Sequence, residues 1–327
     1  MVAYDPISDS WVTKSQLPLS TNFTDYHIAA CQNKIYVLSN DASYPSSLNR
    51  STNKLLAYDP LTDSWETKAS LPPTLYAQVN VVDDKIYVIS GGYGIYRLSK
   101  FSTTVYFNFS STTWVYDPAN DSWSTMAPIP VPVSHYGSVV VDGKIYIIGG
   151  VFYWEVSPGS EVFSNLVQIF DPQTNQWTQG TPLPVNMSGM GVAATTGLEV
   201  PKRIYVFGGS AYGSPAGYAA VTWTQIYDLQ NKTWSNGTQL PIARYNLCAA
   251  SVNDKLYVLG GDYAGGDPAF DNLEYVLADY GSAATSPTPT AAPSASVPEF
   301  PTWIVLPLSF ATVIIGVVNY RRKKFKE

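Results

Sequence analysis

Cysteine and histidine are nearly missing from this chain, with two of each in 327 residues. So few cysteines exclude a disulfide framework, and so few histidines leave little for a zinc or copper centre. Charge is sparse as well, at 13 % of residues, with 19 Lys and Arg against 25 Asp and Glu for a net −6. Residues 1–320 alone carry −10, because the last seven positions contribute +4. An anionic body of this kind argues against nucleic acid as a partner. A basic and then apolar leader is also lacking: Met1-Val2-Ala3-Tyr4 falls directly into a strand pattern. What the chain has in quantity is aromatic side chains, 14 % of all residues.

Those aromatics recur in register. A Lys-Ile-Tyr-Val pattern appears at Lys34–Val37, Lys85–Val88, Lys144–Ile147, Arg203–Val206 and Lys255–Val258. Four copies run into a glycine pair, read as Gly91-Gly92, Gly149-Gly150, Gly208-Gly209 and Gly260-Gly261; the first has Ser39-Asn40. A second pattern starts at an aromatic-Asp pair, usually followed by Pro (Tyr4-Asp5, Tyr58-Asp59, Tyr116-Asp117, Phe170-Asp171, Tyr227-Asp228). It delivers Trp11, Trp65, Trp123, Trp177 and Trp234 at steps of 54, 58, 54 and 57 residues. Each period holds four short strands, here called a, b, c and d. Tight turns such as Asp142-Gly143 join a to b, and Asp-Pro turns join c to d. A period near fifty with four strands per period predicts an all-β propeller of four-stranded antiparallel blades.

A glycine pair closing one strand, an aromatic further on and a tryptophan six or seven residues after it resemble the kelch repeat, over roughly residues 1–280. The resemblance implies a fold and no particular activity, since kelch propellers serve as binding scaffolds and as enzymes. The residue types make physical sense. Paired glycines permit positive φ and close backbone approach. Tyr and Trp fill the wedge between blades with a polar end left for a partner. Leu17-Pro18, Leu71-Pro72, Ile129-Pro130, Leu183-Pro184 and Leu240-Pro241 fix an extended lead-in to each a strand. All these recurrent residues read as scaffold.

The strand types do not occur equally often. Strands a, b and d occur five times each and c six times, the last c strand being Leu273–Val276. Six blades with an incomplete first blade are favoured, the missing strands lying upstream. Five blades are the alternative, with the strand of Trp11 completing the last one.

Because strands alternate in direction, the a–b and c–d turns share one face and the b–c loops project from the other. The b–c loops are long and unlike one another: residues 41–54, 93–112, 151–165, 210–221 and 262–272. They are rich in rings, and loops on a rigid scaffold are where binding usually lives. The expected ligand-binding residues are Tyr93, Tyr96, Tyr106, Phe152, Tyr153, Trp154, Tyr212, Tyr218 and Tyr263. Arg244, in the lead-in to an a strand, joins them because kelch repeats often carry arginine near the channel mouth.

Seven Asn-x-Ser/Thr triplets, at Asn22, Asn49, Asn108, Asn120, Asn186, Asn231 and Asn236, are candidate glycosylation sites on an extracytoplasmic protein. Composition then changes abruptly. Residues 281–299 form a stalk rich in Ala, Ser, Thr and Pro. Residues 300–320 are uncharged and, as a helix of about 31 Å, span a hydrocarbon layer. Residues 321–327 are a basic tail marking the cytoplasmic side. The sequence Pro298-Glu299-Phe300 between stalk and span resembles the sorting signals of archaeal surface proteins. That resemblance implies removal of Trp303 to Glu327 and attachment of a lipid.

Catalytic constellations are thin. His27 and His135 open different a strands and are not placed like the ligands of kelch-type copper oxidases. Cys31 and Cys248 read as buried thiols; a bridge between them fits a five-blade ring and not a six-blade one. Asp262, Asp267 and Asp271 match no calcium loop. Neither a cofactor nor a metal is expected. The favoured function is a non-enzymatic surface module that binds glycan or protein through its b–c face, with a membrane anchor. A mutarotase-like sugar isomerase would need Arg, Glu and His converging at the channel mouth, from among Arg97, Arg244, Glu155, Glu161 and the two histidines. A purely structural role in a surface layer is the third reading.

Overall fold

The b strands are apolar on both faces, which is possible only if each is covered on both sides. In the computed structural model they are sandwiched in this way. Ile86 and Val88 point into one core with Tyr36, Leu38 and Leu55 of the preceding blade. Tyr87 and Ile89 point the other way, into a core with Ile145, Ile147 and Phe170 of the following blade. The same alternation splits Ile204 and Val206 from Tyr205 and Phe207. Hydrophobic cores therefore lie between blades. Each buried aromatic or branched side chain there contributes on the order of 1.5–3 kcal/mol.

The structure describes residues 1–5, 10–18, 25–40, 53–71, 76–96, 106–153, 161–214, 217–264, 266–269 and 271–277. Within these, four blades are complete antiparallel sheets in the order a-b-c-d. Blade II comprises Asp25–Cys31, Lys34–Asn40, Asn53–Asp59 and Ser64–Lys68. Blade III comprises Gln78–Val82, Lys85–Ile89, Thr113–Asp117 and Ser122–Met126. Blade IV comprises Gly137–Val141, Lys144–Ile148, Val167–Asp171 and Gln176–Gln179. Blade V comprises Gly191–Ala194, Arg203–Phe207, Thr224–Asp228 and Thr233–Asn236. The a strands of successive blades lie side by side.

At the two ends of the series, blade I is the hairpin of Val2–Asp5 with Ser10–Thr13, and blade VI has Cys248–Val252, Lys255–Leu259 and Asn272–Tyr275. Among the described residues, Ser10–Thr13 pairs with Val2–Asp5 and not with Asn272–Tyr275. Among the described residues six blade sheets stand in series, and the hairpin that carries Trp11 does not complete the last one. The 300–320 segment lies outside the described residues, among which no helix is long and apolar enough to cross a membrane.

The short a–b turns of blades II, III, IV and VI carry two successive residues of positive φ, as a two-residue hairpin with right-handed twist demands, whereas that of blade V is longer. Asp142 and Gly143 have φ of 50° and 70°, and Gln32-Asn33, Asp83-Asp84 and Asn253-Asp254 adopt the same form with no glycine. In the c–d turns the Asp of each Asp-Pro accepts from the backbone two residues on, Asp59 from Leu61 and Asp117 from Ala119.

The recurring tryptophans hold neighbouring blades together. Trp65, Trp123, Trp177 and Trp234 each pack at a tilt on the cross-strand ring opposite, with centroids 5.0 Å apart for Tyr58–Trp65, 5.1 Å for Tyr116–Trp123, 5.0 Å for Phe170–Trp177 and 4.9 Å for Tyr227–Trp234. Each indole N–H then donates to a carbonyl just after the d strand of the preceding blade: Trp123 to Ala69, Trp177 to Ala127, Trp234 to Thr181 and Trp65 to Ser15. The adjoining turn supplies a second clamp. Asp63, Asp121 and Asn175 accept from the backbone N–H groups of Ser15, Ala69 and Ala127. The Tyr58 and Tyr116 hydroxyls donate to the same Asp63 and Asp121 carboxylates.

Candidate binding face

The b–c face begins where each b strand ends. In blades IV, V and VI the glycine pair has positive φ at both residues, for example 63° and 99° at Gly149 and Gly150. The reason is proximity to the next blade. Gly150 N–H donates to the Met187 carbonyl and Gly209 N–H to that of Arg244, both at 2.8 Å. A Cβ on Gly149 would lie 2.6 Å from the Met187 oxygen, and one on Gly208 the same distance from the Arg244 oxygen.

In blade III the pairing read from sequence is corrected. The two residues of positive φ are Ser90 (59°) and Gly91 (88°), and Gly92 already opens the next strand. Ser90 holds this conformation because its hydroxyl is engaged, with Oγ accepting from Val133 N–H and lying 2.8 Å from the Val133 and Ser110 carbonyls. Blade II, with Ser39-Asn40, has no such break, and its b strand runs straight against all seven residues of its a strand.

Beyond the break, the long loops contain a second layer of short strands. Gly92–Tyr96 pairs with Tyr106–Phe109, Val151–Tyr153 with Val162–Phe163, and Ser210–Ser214 with Gly217–Ala220. Asp262–Tyr263 pairs instead with the a-strand lead-in Arg244–Tyr245. These ribbons are continuous with the scaffold: Val151 bridges Ser134, and Met187–Ser188 pairs with Ser210–Ala211.

The ribbons of blades IV and V expose a set of rings. Val151 faces Phe163 and Tyr153 faces Val162, so the ladder slips at Phe152. A bulge of this kind turns two successive side chains outward. Phe152 is 43 % exposed, Tyr153 42 %, Val162 36 % and Tyr212, from the next ribbon, 45 %. Tyr212 is fixed to the neighbouring ribbon in two ways. Its ring lies 5.3 Å from that of buried Phe163, and its hydroxyl donates to the Glu161 carbonyl. Four exposed apolar groups thus sit on backbone tied into two blades.

Two positions before each a strand of blades III to VI stands a residue of positive φ: Tyr76 (55°), His135 (51°), Gly189 (62°) and Asn246 (54°). Their peptide groups link in sequence around the mouth. His135 N–H donates to the Tyr76 carbonyl at 3.1 Å, Gly189 N–H to that of His135 at 2.8 Å, and Asn246 N–H to that of Gly189 at 2.7 Å. The His135 ring stacks on Tyr76 at 4.1 Å, and its Nδ1 lies 3.0 Å from Ser134 Oγ.

The residues expected to bind separate into groups. Phe152, Tyr153 and Tyr212 are exposed together. Arg244 does not present its guanidinium to a ligand: the residue is completely buried, with Nη1 and Nη2 donating to the two carboxylate oxygens of Asp271 at 3.0 and 2.9 Å. Half-buried Tyr263 lies against it, with the guanidinium carbon 5.4 Å from the ring centroid. The guanidinium holds the Asp271 carboxyl below the usual range. Arg244 is read as channel-mouth from its position alone, but its depth puts it in the packing. The side chains of Tyr93, Tyr96, Tyr106 and Tyr218, and all of Trp154, lie outside the described residues.

Among the glycosylation candidates, Asn120, Asn186, Asn231 and Asn236 are exposed and Asn108 is half-buried; Asn22 and Asn49 lie outside the described residues. Of the groups considered for catalysis, His27 sits in an a–b ladder opposite Leu38. Cys31 is buried, and burial pushes its thiol up to about 11, the opposite of what a nucleophile needs. Cys248 is exposed rather than buried, and both cysteines are unbridged. Among the described residues, no cluster of His, Cys, Asp and Glu is arranged to hold a metal ion. Val162, part of the exposed set, escapes a reading that looks only for rings, and Glu161, named only among groups for an isomerase, lies beside it half-buried.

Comparison with known proteins agrees with this architecture. The chain is 27 % identical over 268 residues to Kelch-like protein terF of Aspergillus terreus, covering 79 % of this chain and 54 % of that protein. It is 27 % identical over 256 residues to Kelch-like protein 36 of Rattus norvegicus, covering 77 % of this chain and 38 % of that one. The chain thus spans about half or less of the length of these relatives. The solved structure of YjhT superposes with a TM-score of 0.66 at 19 % identity, covering 83 % of this chain and 86 % of that one, a likeness of fold. The KLHDC2/KLHL20/DRC7 Kelch-repeats domain matches residues 26–261, the same stretch in which the glycine breaks and tryptophan clamps recur, and the chain belongs to this kelch-repeat family.

Proposed function

We propose that this protein is a surface-anchored, non-catalytic binding module whose b–c face takes a protein or a glycan. One observation carries the reading. Phe152, Tyr153, Val162 and Tyr212 are exposed side by side on ribbons tied to a rigid propeller. An exposed apolar cluster on a folded domain marks an interaction site, and rigid aromatic anchors lose little entropy when they bind. Burial of Arg244 against Asp271 weighs against a cluster of cationic groups at the mouth for an acidic sugar. The kelch fold itself is consistent with a protein-binding module.

Anchoring is supported by the sequence of the C-terminal region. The uncharged 300–320 segment followed by Arg321-Arg322-Lys323-Lys324 places the propeller outside and the tail inside, and Pro298-Glu299-Phe300 marks a processing site. Intact-mass analysis of the membrane-associated protein tests this. A C-terminus at Glu327 supports a spanning helix, and loss of Trp303 to Glu327 with an added lipid supports processing. A protein recovered wholly from the aqueous fraction sinks the anchor.

The binding reading is tested with the full chain in mild detergent, screened against a glycan array and a phage-displayed random peptide library. Binding is expected, and the combined Phe152→Ala, Tyr153→Ala and Tyr212→Ala protein, with unchanged melting temperature, is expected to lose it. Binding untouched by that variant, or none at all by a folded protein, overturns the proposal.

A further inference from the structure

We propose that the exposed rings between the ribbons of blades IV and V form a receptor for a cationic side chain, so that the partner is a basic, Arg- or Lys-bearing peptide segment. The proposal rests on the reading of the b–c face as the binding face and names the chemistry of its partner.

The first observation is a carboxylate without a cation. Glu161 adjoins Val162 and receives the Tyr212 hydroxyl on its backbone carbonyl, which places its backbone beside the exposed set. Its Oε2 is shielded from water and has no hydrogen-bond partner. A carboxylate oxygen in that position has lost its hydration without replacement, a cost that an opposite charge relieves. The residue as a whole is only half-buried.

The two loops that carry the rings supply no such charge from their own sequence. Residues 151–165 and 210–223 contain no Lys or Arg, and their only charged residues are Glu155 and Glu161. The body of the protein, at −10 over residues 1–320, adds a long-range field of the same sign. An anionic, ring-rich surface attracts basic segments and repels acidic ones.

Blade VI shows how this protein satisfies the same combination internally. There the Asp271 carboxylate and the Tyr263 ring both lie against the Arg244 guanidinium, with two hydrogen bonds to the carboxylate, the ring 5.4 Å from the guanidinium carbon, and the Tyr263 hydroxyl donating to Asp271 at 3.2 Å. Ring and carboxylate together bind a guanidinium by charge-assisted hydrogen bonds and by cation–π attraction. Between blades IV and V the carboxylate of Glu161 and the rings of Tyr212, Tyr153 and Phe152 are present, and the guanidinium is left for the partner to bring.

The test uses dodecapeptides enriched from a phage-displayed random library on the full chain in mild detergent, resynthesised with a fluorophore and titrated by polarisation. Enriched peptides are expected to carry Arg or Lys, and citrulline or norleucine at those positions should weaken binding at least tenfold. Glu161→Gln should weaken the basic peptide at least fivefold and leave the citrulline peptide unchanged, with the melting temperature unaltered because the Tyr212 bond goes to the backbone. Peptides that lack basic residues, or that bind Glu161→Gln as tightly as the parent while losing affinity for the Phe152→Ala, Tyr153→Ala, Tyr212→Ala protein, overturn the cation site and leave the binding face standing. Binding indifferent to both variants overturns both, and no peptide enrichment overturns the cation site while the glycan array decides the binding face.

Discussion

The indole N–H of Trp123 donates to the carbonyl of Ala69, 2.8 Å away and in the preceding blade. Fifty-four residues separate the two, and the same bond recurs from Trp177 to Ala127 and from Trp234 to Thr181. A residue that looks like core filler in the sequence is therefore also an inter-blade hydrogen-bond donor. Trp123→Phe keeps most of the stacking on Tyr116 and leaves the Ala69 carbonyl without that donor. It should destabilise the propeller by about 1–2 kcal/mol in urea unfolding. A loss no larger than that of an exposed surface substitution would show that the indole acts by packing alone.

Acid should loosen the same seams. The Tyr58 hydroxyl and the Ser15 backbone hold the Asp63 carboxyl below its usual range, and the Ala69 backbone and Tyr116 hydroxyl do so for Asp121. Each folded-state value lies below the unfolded value near 4, so the folded state binds fewer protons. The stabilisation is fully present above about pH 4 and is lost as pH falls through the lowered folded values. Unfolding midpoints measured from pH 6 to pH 2 should drop steeply at the acid end. Asp121→Asn should flatten the drop, since Asn175 fills the same role for Ala127 without a charge. A drop of unchanged steepness in that variant would place the acid sensitivity elsewhere.

Two glycines of positive φ should respond differently to alanine. A Cβ on Gly143 meets open space, so Gly143→Ala carries only the left-handed backbone cost of about 1–2 kcal/mol. On Gly208 it would stand 2.6 Å from the Arg244 carbonyl, which itself accepts from Gly209. Gly208→Ala should therefore cost clearly more, on the order of 3 kcal/mol or above, by displacing blade VI from blade V. Equal losses in thermal unfolding would contradict this account of the glycine break.

Arg244 and Asp271 should behave as a structural pair. Asp271→Ala leaves a fully buried guanidinium without its carboxylate and should cost about 3–5 kcal/mol. Combining Arg244→Met with Asp271→Leu should recover much of that loss. Chemical denaturation of the three variants decides the matter. A double variant as unstable as Asp271→Ala would mean that the site depends on something other than the pair.

Much of the scaffold is legible in the sequence because it is repeated. Ile-Tyr-Val runs with apolar residues on both sides announce strands covered on both faces, and the Tyr-Asp to Trp step announces the hairpin on which the ring pair stacks. Ser90 is not legible in this way. Gly91-Gly92 catches the eye, yet the bend falls one residue earlier, because the hydroxyl of Ser90 and the Val133 backbone hold the conformation that glycine takes elsewhere. Arg244 misleads for a related reason: its place before an a strand suggests the channel mouth, and only the distant Asp271 shows that it faces inward. Glu161 and the bulge at Phe152 have no repeated signature, because they belong to loops that differ from blade to blade.

The sequence by itself determined the repeat, the four strands of each unit, the face from which the long loops project and the anionic, ring-rich character of those loops. These follow from period, turn chemistry and composition, which are local. Only the tertiary structure decided which rings stand together at the surface, which cation is consumed internally and which carboxylate is left without one. Those outcomes depend on how neighbouring blades approach one another across fifty residues of chain, and no local pattern encodes that distance.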